Sequence, residues 1–400
     1  MALKFGPGAM VAAAFIGPGT LTTATATGAS SGISLAWTIL FALLATLVLQ
    51  ELAVRSSLST QRDLAALARD FGGAQWGRWL ITPLIVVAIG IGNAAYQSGN
   101  VSGAAVGLTH FLSGQFTPIV LGISVIAAGL ILTNQYRWLE RALVALVLLM
   151  ALLFVGLALS LLPELVTLSP DRLTPSFNSE HSLLILALIG TTIVPYNLFL
   201  HATAARRKWH GVPLADALRE ARWESFIAIS IGASITVAIM VVAAVLLETP
   251  ADRPVLDALI YRVEHRLPGV GGSLIAIGLF AAGLSSALAA PVAASWAVCG
   301  ALALPTDEHS KPFKAVALGV LGVGATLAVL ASRPQALIVT AQAANAMLLP
   351  VVAVILLLVA NSQLVPAPWR NGKAANAMAF LIIMLVLVIA GTRLQALMQA

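Results

Sequence analysis

The sequence predicts an all-α protein that crosses a membrane many times, and three observations support this fold class. Of its 400 residues, 59% are hydrophobic and only 10% are charged, which is far from the composition of a soluble globular protein. Apolar runs long enough to cross a bilayer recur along the chain. The alternating strands of roughly ten residues that a membrane β-barrel requires are missing. A polytopic helical bundle is therefore expected.

The hydropathy pattern predicts eleven membrane spans. Their approximate bounds are 7–28, 33–54, 79–107, 117–135, 139–162, 183–204, 225–247, 272–300, 313–332, 335–360 and 375–396. With a cytoplasmic N-terminus, 16 of the 22 lysines and arginines fall on the cytoplasmic side and 6 on the other. Positive charge concentrates in cytoplasmic loops, so we expect a cytoplasmic N-terminus and an external C-terminus. The bacterial inner membrane is the expected location.

Two connections between the predicted spans carry a recognisable pattern. The strongly basic stretch 206–224 is predicted as a cytoplasmic loop, which either sets the topology or contacts anionic lipids. The stretch 248–271 places apolar residues among charges at helical spacing, which predicts an external amphipathic helix packed on the bundle.

Two of the predicted spans contain helix-breaking residues. In the first, Pro18 stands between Gly17 and Gly19, and in the sixth, Pro195 follows Gly190-Thr191-Thr192-Ile193-Val194. Proline lacks an N–H group and glycine holds a helix poorly, so we expect unwound backbone at 17–20 and at 194–197. Interrupted spans at matching places of two halves are the best sequence indication of a transporter substrate site.

Five spans separate one break from the other, so the two broken spans run in opposite directions. This is the arrangement of an inverted repeat of five plus five spans. We therefore predict one transmembrane transporter domain over residues 1–400, with repeats at 7–162 and 183–360 and an extra helix at 375–396.

Three stretches and one single residue of the chain match the sequence pattern of a known protein family. They are Leu49-Gln50-Glu51-Leu52-Ala53-Val54-Arg55, Pro195-Tyr196-Asn197-Leu198-Phe199-Leu200-His201, Leu279-Phe280-Ala281-Ala282-Gly283-Leu284-Ser285-Ser286, and Gln342 eight residues before Pro350. On these residues the chain resembles the NRAMP family of divalent metal transporters over nearly its whole length. The resemblance implies the LeuT-type fold and a metal ion as substrate.

The departures from the family pattern fall at the implied metal site. Where the family has Asp-Pro-Gly-Asn in the first span, with Asp and Asn as metal ligands, this chain has Gly17-Pro18-Gly19-Thr20. Thr191 and Val194 match the family's ligating alanine carbonyl and methionine sulfur. The positions implied in gating and proton transfer also differ. Tyr196 replaces the first histidine of the sixth span, whereas His201 matches the second. Gln97 and Asn100 stand where the family has acidic residues.

The residues near the breaks provide a neutral set of oxygen ligands. All 16 carboxylates of the chain lie in loops or near span ends. The substrate ligands that remain are hydroxyls, amides and unwound backbone carbonyls. They are the hydroxyls of Thr20 and Thr191, with Thr22 or Thr192 as further candidates, the amides of Asn197 and Gln342, with Asn345 as a further candidate, and the carbonyls near Gly17, Gly19 and Thr191. Dications such as Mn²⁺ favour oxygen ligands, and without a carboxylate this site would bind one weakly.

Three functions agree with these residues. The first is a secondary carrier of Mn²⁺- or Fe²⁺-like cations with low affinity, for which export of excess metal is a plausible direction. The second is a transporter of a small organic anion or zwitterion, because helix N-termini without a carboxylate favour anions. The third is a sensor or scaffold that does not transport. No enzyme motif, cofactor or nucleic-acid partner is predicted, and we expect a monomer in the bilayer with any proton coupling routed through His201.

Overall fold

The computed structural model describes residues 16–71, 73–112, 115–133, 137–248 and 253–399. In these residues the secondary structure is helical. The main helices are α1 (Pro18–Ser31), α2 (Ala36–Thr60), α3 (Leu64–Phe71), α4 (Gly77–Thr109), α5 (Phe116–Thr133), α6 (Arg137–Ser160), α7 (Ser182–Thr192), α8 (Pro195–Lys208), α9 (Leu214–Leu246), α10 (Val255–Arg266), α11 (Gly271–Ala301), α12 (Lys311–Leu330), α13 (Pro334–Asn361) and α14 (Lys373–Gln399). Short helical turns lie at Gly73–Trp76, Leu162–Leu165, Pro170–Leu173, Ser179–His181 and Ala367–Trp369.

The helices confirm the predicted fold class. Within the described ranges, 10 helical stretches are long and apolar enough to cross a membrane, with α7 and α8 counted as one stretch. The first predicted span begins among residues outside the described part, and α1 forms its second portion. The division into two inverted repeats stays a prediction.

Both predicted helix breaks occur, each slightly displaced from its expected position. Gly17 is extended, with φ −91° and ψ 174°, and α1 begins at Pro18, so the expected unwinding through Thr20 is wrong. Likewise only Ile193 and Val194 separate α7 from α8, and Asn197 lies in the first turn of α8. Proline's fixed φ suits the first helical position, where its missing N–H costs nothing. Each proline therefore begins a helix and the unwound residues precede it.

The connection predicted at 206–224 is also partly wrong. Helix α9 begins at Leu214, so more than half of this stretch is helical and α9 extends beyond the predicted span of 225–247. The amphipathic helix is confirmed as α10, which buries Leu256, Leu259, Ile260 and Val263, and its external side stays a prediction.

Small residues bring the central helices close together. A Cβ atom added at Gly190 of α7 would overlap the backbone carbonyl oxygen of Gln342 in α13. A Cβ at Gly283 of α11 would lie 2.5 Å from the backbone nitrogen of Ala104 in α4. Close backbone approach at glycine is the usual device for helix packing in membranes. It places α4, α7 and α13 around the break that opens α1.

Candidate substrate site at the helix breaks

The two breaks meet through a pair of threonine hydroxyls. Thr20 lies in the first turn of α1, Thr191 lies in the last turn of α7, and their Oγ1 atoms are 2.9 Å apart. Both side chains are buried, with exposed fractions of 2% and 1%. The hydrogen bond joins residues that are 171 positions apart in sequence. The structure therefore brings together the two residues that the sequence assigned to opposite sides of one site.

The end of α7 supplies backbone carbonyl oxygens to this site. In a continuous helix the carbonyl of Thr191 would accept from the N–H four residues later, but that residue is Pro195, which has none. The preceding carbonyl, that of Gly190, accepts a hydrogen bond from the side-chain amide of Asn345 at 2.9 Å. Carbonyl groups at a helix C-terminus carry partial negative charge and favour cations.

The starts of α1 and α8 supply the opposite charge. Neither helix has a side-chain cap or an acidic residue in its first turn. The Gly17 carbonyl accepts the first helical bond of α1 from the N–H of Leu21 at 3.1 Å, and the Val194 carbonyl accepts from the N–H of Asn197 at 3.0 Å. The expectation that the backbone near Gly17 and Gly19 contributes unwound carbonyls is therefore wrong, because these residues form a helix N-terminus. Its N–H groups carry partial positive charge.

Gln342 of α13 lies over the start of α1. A Cβ atom at Gly19 would overlap its side-chain amide, so only glycine leaves room for the amide here. Gln342 is fully buried, and neither its Nε2 nor its Oε1 has a hydrogen-bond partner among the described residues. The Oδ1 of Asn197 is also buried without a partner. Buried polar atoms are almost always paired, so these atoms are available to a bound water, an ion or another polar ligand.

One face of α4 closes the site. Tyr96, Gly99 and Gly103 recur at helical spacing and so share this face. The Tyr96 ring packs edge-on against Tyr196 of α8, with ring centroids 5.7 Å apart. A Cβ at Gly99 would lie 3.7 Å from Gln342 Nε2, and a Cβ at Gly103 would overlap Pro18. Tyr196 thus packs against this face of α4, and its gating role stays a prediction.

A second face of α4 carries three amides, Asn93, Gln97 and Asn100, directed at α11. Gln97 Nε2 donates to the Ala287 carbonyl at 3.0 Å, and Asn100 Nδ2 donates to Gln97 Oε1 at 3.0 Å. The Ala287 carbonyl lacks its helical donor because Pro291 stands four residues later. Gln97 and Asn100 thus form an amide ladder that joins α4 to α11. Their side-chain amides are hydrogen-bonded to α11 and to each other.

Two further predicted residues lie beside the site without a charged partner. His201 of α8 is buried, its Nε2 lies 3.5 Å from Ser225 Oγ, and its Nδ1 has no partner among the described residues. Val194 is buried and presents only an apolar side chain. The described residues contain no cluster of three or more His, Cys, Asp or Glu side chains that could hold a metal ion. The oxygen ligands at the breaks are neutral.

Some residues of this region were not predicted from the sequence. Asn93 completes the amide ladder by donating to the Ala290 carbonyl at 2.6 Å, and Ser225 is the contact of His201. The position of Asn93, four residues before Gln97, was the available signal, since it places both amides on one helix face. For Ser225, on α9, no sequence pattern indicated the contact.

Comparison with known proteins identifies the family and agrees with the fold. The sequence model of the family described as natural resistance-associated macrophage protein-like (Nramp) matches residues 8–395. A divalent metal cation transporter, MntH, of Ralstonia nicotianae is 28% identical, covering 96% of this chain and 89% of the relative. The MntH of Bacillus subtilis is also 28% identical, covering 70% of this chain and 67% of the relative.

Solved structures show the same fold at lower identity. The manganese transporter of Eremococcus coleocola, in complex with an aromatic bis-isothiourea substituted compound, superposes with a TM-score of 0.77 at 20% identity, covering 96% of this chain and 84% of that one. Mhp1, a nucleobase-cation-symport-1 family transporter, gives 0.56 at 14% identity, covering 89% and 77%.

The all-helical membrane bundle, with broken helices that meet at a buried polar site, has the LeuT-type fold of these solved structures. Within that fold class, the chain belongs to the Nramp family.

Proposed function

We propose that this protein is a secondary transporter of divalent metal cations, which cross the membrane through a low-affinity site between α1 and the α7–α8 break. The observation that carries the proposal is the family match over residues 8–395 together with the Thr20–Thr191 contact at the paired breaks. The metal transporters among its relatives, from Ralstonia and Bacillus, support the substrate class.

The ligands in this proposal are all uncharged. Thr20 and Thr191 offer hydroxyl oxygens, Thr191 also offers the carbonyl released by Pro195, and Asn197 and Gln342 offer amide oxygens. Gly17 occupies the position of the aspartate in the family pattern and offers no side-chain ligand. An ion bound here keeps part of its hydration shell, since neutral oxygens replace water poorly for small dications. Such weak binding suits release of abundant metal, so we propose export of excess metal as the direction.

The Gly17→Asp variant tests the substrate charge. Gly17 has an extended backbone that any residue adopts, so the new carboxylate leaves the chain path unchanged. It adds an anionic ligand beside the breaks, and we expect at least tenfold tighter Mn²⁺ binding by calorimetry. The matched control is Gly17→Asn, which adds similar volume without charge and should bind Mn²⁺ more weakly than Gly17→Asp.

A small anion or zwitterion is the second candidate, favoured by the uncapped N-termini of α1 and α8. For a carboxylate substrate, Gly17→Asp places like charges together, at a cost of about 4 kcal/mol for a separation of about 4 Å and an effective dielectric of about 20. The two candidates thus predict opposite signs for one variant. Absence of Mn²⁺ binding in wild type, Gly17→Asp and Gly17→Asn would contradict the metal proposal, leaving the anion carrier or a non-transporting sensor.

Coupling to protons is proposed to be weak or absent. Gln97 and Asn100 form the amide ladder and do not ionise, so any proton coupling would pass through His201, the histidine of α8. A pH dye inside proteoliposomes should show no acidification that follows substrate transport. Strong substrate-dependent acidification that persists in His201→Ala would contradict this proposal.

We further propose a monomer in a bacterial inner membrane with a cytoplasmic N-terminus, an external C-terminus and two inverted repeats. The charge bias of 16 to 6 supports the orientation. Labelling of single cysteines in the Cys299→Ala background, at Lys208 and at Arg262, distinguishes the two faces: only the Arg262 position should react with an impermeant reagent added to whole cells.

A further inference from the structure

A groove runs between α2 and α9 at the end of the bundle that carries the basic loops. It encloses about 250 Å³, and its apolar walls include Leu47, Val54, Leu218 and Phe226. Two adjoining recesses, of about 460 and 500 Å³, share Arg222 with it and open at the surface. Arg222 lines all three spaces, which we together call the α2–α9 groove.

Arginines surround the outer end of this groove. Arg55, Arg222 and Arg370 line the 460 Å³ recess around a single carboxylate, Glu51. Glu51 accepts from Arg222 at 2.6 Å and from Arg55 Nε at 2.9 Å. Three arginines facing one glutamate leave this end with an excess of positive charge.

The three arginines differ in their availability. Arg55 is buried, and its remaining N–H groups donate to the Trp369 carbonyl and to Asn371, so it mainly fixes the segment before α14 against α2. The Arg222 side chain is 55% exposed. Arg370 is exposed as well, with its Nε bonded to the Val365 carbonyl. Arg222 and Arg370 therefore have donors directed to the solvent side of the groove.

The inner part of the groove is suited to a hydrocarbon chain. Trp223 and Phe226 follow Arg222 on α9, pack edge-on with ring centroids 6.0 Å apart, and are 62% and 49% exposed. Exposed aromatic residues at the end of a membrane helix are typical of the bilayer interface. An occupant that enters between them passes from a basic opening to apolar walls.

A buried polar side chain lies within the apolar part. Gln50 lines the groove, is 1% exposed, and its Oε1 has no hydrogen-bond partner among the described residues. Ser225, which contacts His201, lines the same space. In a phospholipid, polar glycerol ester groups lie between the phosphate and the acyl chains. Such groups would lie at the depth of Gln50 and Ser225.

We infer that the α2–α9 groove is a binding site for an anionic phospholipid, whose phosphate contacts Arg222 and Arg370 and whose acyl chain lies along Phe226 and Leu218. The groove has positive charge at its opening, aromatic residues at the interface, and an apolar channel that contains the buried Gln50 Oε1. These features match the successive parts of such a lipid, from its phosphate to its acyl chain. Glu51 competes with the phosphate for Arg222.

Native mass spectrometry of the full-length protein, titrated with phosphatidylglycerol or phosphatidylcholine, tests this site. Wild type should retain phosphatidylglycerol in preference to phosphatidylcholine. Arg222→Gln removes a charge-assisted hydrogen bond and should weaken phosphatidylglycerol binding about tenfold. Arg370→Gln, at an exposed position, should weaken it in the same direction. Glu51→Gln removes the competing carboxylate and should strengthen it.

The matched control is Lys311→Gln, which removes one exposed positive charge at the start of α12, outside the groove. It should retain phosphatidylglycerol as wild type does. Equal retention of both lipids by wild type, or equal losses in Arg222→Gln and Lys311→Gln, would overturn the inference. So would protection against thermal unfolding by soluble glycerol 3-phosphate as strong as that by phosphatidylglycerol, because the groove would then be a phosphate site. The readouts require no metal transport, so they are independent of the proposed function.

Discussion

Each helix break is followed by a helix that begins at a proline, yet the two breaks offer different chemistry. At the first, the described residues present the N-terminus of α1 and the hydroxyl of Thr20. At the second, the C-terminus of α7 and the N-terminus of α8 lie together, so carbonyl oxygens and N–H groups share one site. The second break therefore presents both backbone carbonyl and N–H groups, whereas the described part of the first presents a helix N-terminus and one hydroxyl.

The two breaks also differ in what holds them. Gly190 at the end of α7 lies directly against the backbone of α13, whereas Gly19 at the start of α1 lies against the side-chain amide of Gln342. Backbone cannot move without shifting a whole helix, but an amide side chain can rotate. The second break is therefore held at Gly190 by backbone contact, whereas the contact at Gly19 of the first is with a side chain that can rotate.

The largest effect is expected for Gly190→Ala. Its Cβ would overlap the Gln342 carbonyl and lie 2.8 Å from the Ala346 nitrogen, so α7 and α13 must separate. Overpacking of this kind should lower the free energy of unfolding by about 3 kcal/mol. Thermal unfolding in detergent measures the loss. The control is Gly122→Ala in α5, where no atom lies within 4 Å of the new Cβ. A Gly190→Ala protein as stable as that control would show that the second break is not held by backbone contact.

The sequence predicted the breaks because Pro18 and Pro195 act locally. Their effect on the helix depends only on the missing N–H and the fixed φ, which any sequence shows. The displacement of two or three residues arose because proline both interrupts one helix and begins the next, and the pattern alone does not say which effect prevails. The start of α9 was missed for a related reason, since Leu214 lies in a charged stretch outside the membrane that hydropathy does not mark as helical.

The sequence predicted the identities of the site residues but not all of their contacts. Thr20 and Thr191 were named from their positions at the breaks, and their hydroxyls are in contact. Gln97 and Asn100 were named as proton or gating candidates, but their contacts depend on the carbonyl that Pro291 releases in a distant helix. Such a pairing exists only in three dimensions. Spacing along α4 could have grouped the amides, but it could not have shown which helix they face.

The smallest effect on stability, and a distinct effect on binding, is expected for Gly19→Ala. The new Cβ overlaps only the amide end of Gln342, which can rotate away, so the free energy of unfolding should change by less than about 1 kcal/mol. Rotation removes the Gln342 oxygen from the site, and Mn²⁺ affinity should fall about tenfold, as expected for one lost ligand. Gln342→Ala should give the same loss of affinity. Because both changes remove one contact, the double variant should be no weaker than either single variant. Additive losses would show that Gly19 and Gln342 act separately, and a Gly19→Ala protein as destabilised as Gly190→Ala would remove the difference between the two breaks.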